Sequence, residues 1–342
     1  MDFPRPRSVR PRKNCRLWSA ADQGRKHARS GPHGTRQPQG VAQAAALGHH
    51  RAPLTEPSAE RERINLIMAG GGVRLPAYVG ALAALEEMGV EIVQIAGASA
   101  GSIVGSHLAA GWSVDQMRRL AIETNFATFK DLSLRGFLFE GGLYAGDSFE
   151  RWMHTGLKGA RFKDLPRDLF VTAVDLFGRR PFFFSRQATP DFPVSKAVRC
   201  SMAIPWVWRP LRWEHKLLVD GQLMPWIPSG IEIMQGSESG PPLRTVMLRL
   251  ISEPRGNLPA KRHLWPWDFA KILLETMLSA LENQRVSGSL WENTILINVG
   301  TVHSLQLDIG HAEKERLFQC GYDQARRYFH KKAAPPPSPA AS

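Results

Sequence analysis

Ile64-Asn65-Leu66-Ile67-Met68-Ala69-Gly70-Gly71-Gly72-Val73-Arg74 opens, and Gly97-Ala98-Ser99-Ala100-Gly101 closes, the stretch whose reading decides the fold. The run from Ile64 to Ala69 has the length and apolar character of a buried strand and breaks on three glycines. Pro76 suits the first turn of a helix, and Leu82, Leu85, Glu86 and Met88 follow at helical spacing until Gly89 closes it. Ile92-Val93-Gln94-Ile95-Ala96 is a second strand. A strand–helix–strand order with short, continuously apolar strands predicts an α/β fold whose parallel sheet is covered on both faces.

Working outward, Ser102 to Ala110 reads as a helix, and Ser113 with Gln116 forms a capping box for the next one, through about Thr124. Phe126 to Lys163, with Gly136, Gly141, Gly142 and Gly146, reads as irregular, a candidate lid or a surface insertion. Leu169 to Asp175 and Pro181 to Ser185 pair across a turn at Gly178. Val194 to Ser201 looks helical, and Leu217-Leu218-Val219 runs into Asp220-Gly221, placing a carboxylate at a strand end. Strands at Arg244–Ile251 and Thr294–Val299 alternate with helices from about Pro266 to Val286 and about Gly310 to His330.

The 342 residues, 43% hydrophobic, suffice for one large α/β domain. The expected organisation is a basic, disordered segment at 1–62, a folded domain at 63–330 and a disordered Ala/Pro-rich tail at 331–342. Of the formal charge of +13, the residues through Arg61 carry twelve Lys/Arg against Asp2, Asp22, Glu56 and Glu60, a net +8 that leaves +5 for the rest. The excess therefore sits outside the expected domain, which argues against a nucleic-acid-binding face. Val41 to Leu47 is too short and too polar for a secretory signal, and no run of about 18 apolar residues exists to span a membrane. A cytoplasmic or peripheral-membrane location follows as the expectation. Cys15, Cys200 and Cys320 lack metal or disulfide spacing, and a reducing compartment fits them.

Gly97 to Gly101 fits the GxSxG elbow, in which small neighbours let the chain turn sharply from strand to helix and present Ser99. Gly70, Gly71 and Gly72 offer backbone N–H groups either to an oxyanion or to a phosphate, although GxGxxG spacing and an acidic ribose partner are missing. Two bases compete for the Ser99 proton: Asp220 acting directly, or His303 oriented by Asp175 or Asp220. Residue patterning leaves both open.

These residues resemble the patatin-like phospholipase family, with its GGGxRG loop, GxSxG elbow and Asp-Gly-Gly or Asp-Gly-Ala motif. Here they read Gly70-Gly71-Gly72-Val73-Arg74-Leu75, Gly97 to Gly101, and Asp220-Gly221-Gln222. The resemblance extends over Ala197 to Pro205 and the Glu313/Lys314/Gly321 helix, and covers about Ile64 to Phe329. It implies a three-layer α/β/α sandwich with a mainly parallel sheet, and a lipid acyl hydrolase of phospholipase A type that needs neither metal nor cofactor. Ser99 and Asp220 are its implied catalytic dyad, working through an acyl-enzyme. Gly70, Gly71 and Gly72 are its implied oxyanion hole, and Arg74, Gly97, Gly101 and Gly221 its implied supports, with Arg74 either bracing the loop or meeting a head group.

The implied partner is a phospholipid or other acyl-ester lipid, with peripheral membrane contact and no nucleic acid or known protein partner. A catalytically weak lipid-binding protein using the same pocket is the alternative. Two departures stand out: Leu75 replaces the last glycine of the first motif, and Gln222, expected to crowd the site or bond to Asp220, replaces a small residue. Trp206, Trp208, Trp213, Trp226, Trp265, Trp267 and Phe182 to Phe184 are candidates for an acyl groove or an interfacial rim, with core packing as the competing role.

Overall fold

A computed structural model describes residues 61–237, 240–253, 265–283 and 289–333. All of these belong to the unit Ser58–Ser342. The segment expected to be disordered at the N-terminus, except for its last two residues, and the tail beyond Ala333 lie outside the described residues.

The chain begins with β1 (Arg63–Met68), α1 (Pro76–Glu87), β2 (Glu91–Ala98), α2 (Ala100–Ala109) and α3 (Val114–Glu123). The insertion contributes β3 (Gly142–Tyr144) and α4 (Asp147–Gly156), followed by β4 (Asp168–Asp175), β5 (Arg180–Phe184) and α5 (Val194–Ser201). Short strands β6 (Trp206–Trp208) and β7 (Leu211–Trp213) lead into β8 (Lys216–Asp220) and α6 (Ile227–Gly236). The remainder is β9 (Arg244–Ile251), α7 (Pro266–Asn283), α8 (Ser289–Glu292), β10 (Thr294–Asn298) and α9 (His311–Ala333).

The main sheet runs β10-β9-β1-β2-β4-β8-β7, with β5 paired to β4. The five strands from β10 to β4 are parallel, while β5, β8 and β7 add antiparallel pairs at one side. Helices cover both faces, as period-two alternation requires. Ile64, Leu66 and Met68 of β1 join the larger core with Tyr78 and Leu82 of α1, Ile103 of α2 and Leu317 of α9. Ile67, between them, points the other way, to Trp226, Met234 of α6 and Met247 of β9. The expected α/β/α sandwich with a mainly parallel sheet is the fold observed.

Two differences from expectation have local causes. Phe126 to Lys163 is less irregular than its glycines suggested: Gly146, at φ 78°, ends the loop and starts α4, whose N-terminal amides are met by Asp131. The last helix continues to Ala333, into the stretch read as tail, because the sequence there, Lys331-Lys332-Ala333, consists of good helix formers. The capping box of Ser113 and Gln116 forms as read, with Gln116 N donating to Ser113 Oγ at 3.2 Å and Ser113 N to Gln116 Oε1 at 2.9 Å.

Candidate active site

Sheet register brings the candidate residues together. Met68 pairs with Gly97, Ala98 with Thr172, and Ala173 with Asp220, so the ends of β1, β2 and β8 meet beside the middle of β4. The residues just beyond β1 and β2 are the glycine loop and Ser99, beside the aspartate that ends β8.

Ser99 sits at φ 48°, ψ −121°, a backbone region that side chains avoid, between the end of β2 and the first residue of α2. Several contacts hold it there. Ser99 N donates to Ser201 Oγ at 2.9 Å, and Ser201 Oγ donates to Thr172 O at 2.6 Å. Ser99 O accepts from Ser102 N and Ser102 Oγ at 2.9 and 2.6 Å. The flanking glycines let backbones touch: a Cβ at Gly101 meets the Met68 and Ala69 carbonyls, one at Gly97 meets Gly101, and one at Gly221 meets the Thr172 carbonyl. Ser99 is 7% exposed at the mouth of α2, whose dipole favours negative charge at that end.

Asp220 lies deeper, 1% exposed. Its Oδ1 accepts from Gln222 N at 2.7 Å, the amide of the turn that follows. Oδ2 makes no close hydrogen bond, although the Ser99 hydroxyl is near enough to pull the carboxyl downward. Burial dominates that pull and the Gln222 bond, and pushes the Asp220 pKa up to about 7. A carboxyl in this position is half ionised at neutral pH and is a stronger base than an exposed aspartate.

The glycine loop is tied on nearly every side. Tyr78 Oη donates to Ala69 O at 2.7 Å and contacts Gly70 O at 3.1 Å. Arg74, fully buried, donates from its backbone N and from Nε to Gly71 O at 3.2 and 2.8 Å, and from Nη1 to Ser252 Oγ at 2.5 Å. Arg74 therefore braces the loop and is not available to a lipid head group. Val73 N donates to Ser304 O at 3.2 Å, and Gly72, at φ 56°, lies so close that a Cβ there meets the same carbonyl.

Gly70 differs from its expected role. Its N–H donates to the Gln222 side-chain Oε1 at 2.8 Å, so among the three glycines the uncommitted amides are those of Gly71 and Gly72. Leu75, the other departure, adopts φ −53°, ψ −25°, an ordinary helical conformation that needs no glycine, and its side chain is buried.

His303, the other candidate base, immediately precedes a residue that lines the same cleft. The segment after His303 lies against the glycine loop, with Ser304 and Leu305 lining the cleft beside Ser99. Asp175 pairs with Leu218, two residues back along β8 from Asp220, and its Oδ1 accepts from Phe177 N in the β4–β5 turn. It caps that turn away from the serine.

Gly72 and Ser99 open into a small cleft, partly open to solvent, whose other walls include Ile103, Phe126, Phe129, Met202, Ile204 and Trp208. It is almost wholly apolar. The expected aromatic rim is divided: Trp208 and Trp226 are buried, and Trp213 stacks among Phe182, Phe184 and Phe192. Trp206 and Trp265 are exposed. The side chain of Trp267 lies outside the described residues. A further exposed apolar group among the described residues was not anticipated from sequence: Leu132, Leu134, Phe137, Leu138 and Phe139, in the insertion, with Leu134 and Phe139 76% and 79% exposed. Ser201, Tyr78 and Ser252, which hold the elbow and the loop, were also not singled out by any motif.

Among the described residues, no group of three or more His, Cys, Asp or Glu side chains is placed to hold a metal ion, and no helix is long and apolar enough to cross a membrane.

Residues 66–228 match the family model described as Patatin-like phospholipase. The chain is 27% identical to an uncharacterized protein of Acanthamoeba polyphaga mimivirus, across 78% of this chain and 94% of that protein. It is 28% identical to the uncharacterized YqhO of Bacillus subtilis, across 75% and 95%. An uncharacterized NTE family protein of Mycobacterium tuberculosis is 30% identical over about half of each chain, 52% and 51%. Among solved structures, VipD from Legionella pneumophila shares the fold, with a TM-score of 0.57 and 16% identity over 79% of this chain and 67% of that one.

Proposed function

Because residues 66–228 form a domain of the patatin-like phospholipase family, whose substrates are lipid esters, we propose that this protein is a serine-dependent acyl hydrolase working through a Ser99–Asp220 dyad. The observation that carries the reading is a strained serine at the head of a helix beside a buried aspartate with a pKa of about 7.

In the first step Asp220 takes the Ser99 proton as Ser99 Oγ attacks the ester carbonyl carbon. Negative charge builds on the carbonyl oxygen, facing the Gly71 and Gly72 amides and the positive end of α2. As the C–O bond breaks, Asp220 returns the proton to the leaving alkoxide, and the acyl group stays on Ser99. Water then attacks the acyl-enzyme, giving its proton to Asp220. Ser99 regains that proton as the fatty acid leaves. The apolar cleft takes the acyl chain, since each buried methylene contributes about 0.8 kcal/mol. The test is fatty-acid release from phospholipid vesicles, present in the wild type and lost in Ser99→Ala.

The exposed apolar loop is the contact with the lipid surface. Phe129, just before it, and Trp208, whose strand pairs with β3 just after it, both line the cleft, so the loop stands at the route by which an acyl chain reaches Ser99. Trp206, 43% exposed, adjoins it through a bond from its N–H to Gly141 O. Large apolar side chains in water favour the interface of a bilayer. Replacing Leu134 and Phe139 together by Asp is expected to weaken binding to phosphatidylcholine vesicles by about tenfold or more, given about 1.5–3 kcal/mol for each large apolar side chain buried. Hydrolysis of a soluble short-chain ester is expected to stay unchanged. Undiminished vesicle binding would place the contact elsewhere.

A further inference from the structure

Gln222 touches both halves of the proposed site at once. Its backbone N–H donates to Asp220 Oδ1 at 2.7 Å, and its side-chain Oε1 accepts from Gly70 N at 2.8 Å. The fit is close: a Cβ on Gly70 comes within 2.9 Å of that oxygen and 3.1 Å of the amide carbon. Any residue at 222 can supply the backbone bond. The link to the loop needs a side chain with an acceptor at this reach.

We propose that Gln222 is a positioning residue that clamps the glycine loop to the turn carrying Asp220, withdrawing the Gly70 amide from the oxyanion donors and fixing the Gly71 and Gly72 amides relative to Ser99. The inference rests on the hydrolase reading above. The anchors of the loop at Tyr78, Arg74, Ser252 and Ser304 come from its own side of the site or from the strand ends beyond it. Gln222 ties it to the segment that carries the base. Preorganised donors work by being in place before charge develops, so a loose loop costs turnover more than substrate binding.

Three variants test this on the full chain, with a soluble short-chain ester and a pH–rate profile for each. Gln222→Ala is expected to lower kcat by about ten- to a hundredfold with KM changed less than about threefold. Gln222→Asn keeps the amide but is one methylene short, and is expected to behave like Gln222→Ala. Gln222→Glu keeps an acceptor for Gly70 N–H and adds a negative charge near Asp220. It is expected to recover most of kcat at high pH, with the midpoint moved toward alkali. Retained circular dichroism separates lost positioning from lost folding.

A Gln222→Ala enzyme as fast as the wild type, or faster, overturns the clamp, as does loss of kcat in Gln222→Glu equal to that in Gln222→Ala at high pH. If the wild type itself shows no Ser99-dependent hydrolysis, the underlying hydrolase reading fails, and that result is distinct from either of these.

Discussion

Asp220→Asn is expected to abolish ester hydrolysis and, at pH 8, to make the protein more stable. The activity loss follows from removing the base, and is expected to be about 10⁴-fold or more in kcat, the scale seen when a member of a serine hydrolase's catalytic set is deleted. The stability gain follows from burial. In the unfolded chain the carboxyl ionises near 3.8; in the folded chain burial holds it to about 7. Below pH 3.8 both states are protonated and the group is neutral to stability. Between 3.8 and 7 the folded state holds a proton that the unfolded state has released, so stability falls as pH rises. Above 7 the loss is complete and amounts to at most about 4 kcal/mol for this shift. Asparagine keeps an acceptor for Gln222 N–H and carries no charge. A higher melting temperature at pH 8, with the difference shrinking toward pH 4, is the expected result by differential scanning calorimetry. The wild type's kcat/KM is expected to rise about tenfold per pH unit below 7 and level above it.

Ser99→Gly is expected to have an equally large effect on activity for a different reason, with a gain in stability that Ser99→Ala lacks. Both remove the nucleophile, and fatty-acid release falls by about 10⁴-fold or more. Only glycine also relieves the backbone. At φ 48°, ψ −121° a residue with a Cβ stores on the order of 1–3 kcal/mol, which Ser201, Ser102 and the packing of Gly101 on β1 hold in place. Ser99→Gly is therefore expected to melt higher than Ser99→Ala, whose Cβ keeps the strain. Equal melting temperatures for the two would mean that the elbow is relaxed.

The fold was legible because its strands are continuous apolar runs broken by glycine. Ile64 to Ala69, Leu169 to Asp175 and Arg244 to Ile251 all became strands of the main sheet. Leu211 to Trp213 and Trp206 to Trp208 were not read as strands, since three residues carry no usable periodicity. The helix at Asp147–Gly156 was hidden behind its own glycine cap. Motif reading singled out Ser99, the glycine loop and Asp220, which the fold brings together, because strand ends and small-residue turns mark places where backbones meet. It could not divide the loop's three amides into one committed and two open, since that depends on where the Gln222 side chain reaches across 152 positions of sequence. Nor could it tell a packed tryptophan from an exposed one. Trp206 and Trp208 are two residues apart on one short strand, where regular alternation would put both on one face, yet Trp208 is buried and Trp206, at φ 64°, is exposed.

The central claim, that Asp220 takes the Ser99 proton without a histidine, is tested most directly by the rate at which a fluorophosphonate labels Ser99, followed by mass spectrometry in the wild type, Asp220→Asn and His303→Ala. Rapid labelling in the wild type and His303→Ala, with labelling slowed about a thousandfold or more in Asp220→Asn, is the predicted result; rapid labelling in Asp220→Asn with loss in His303→Ala would contradict it.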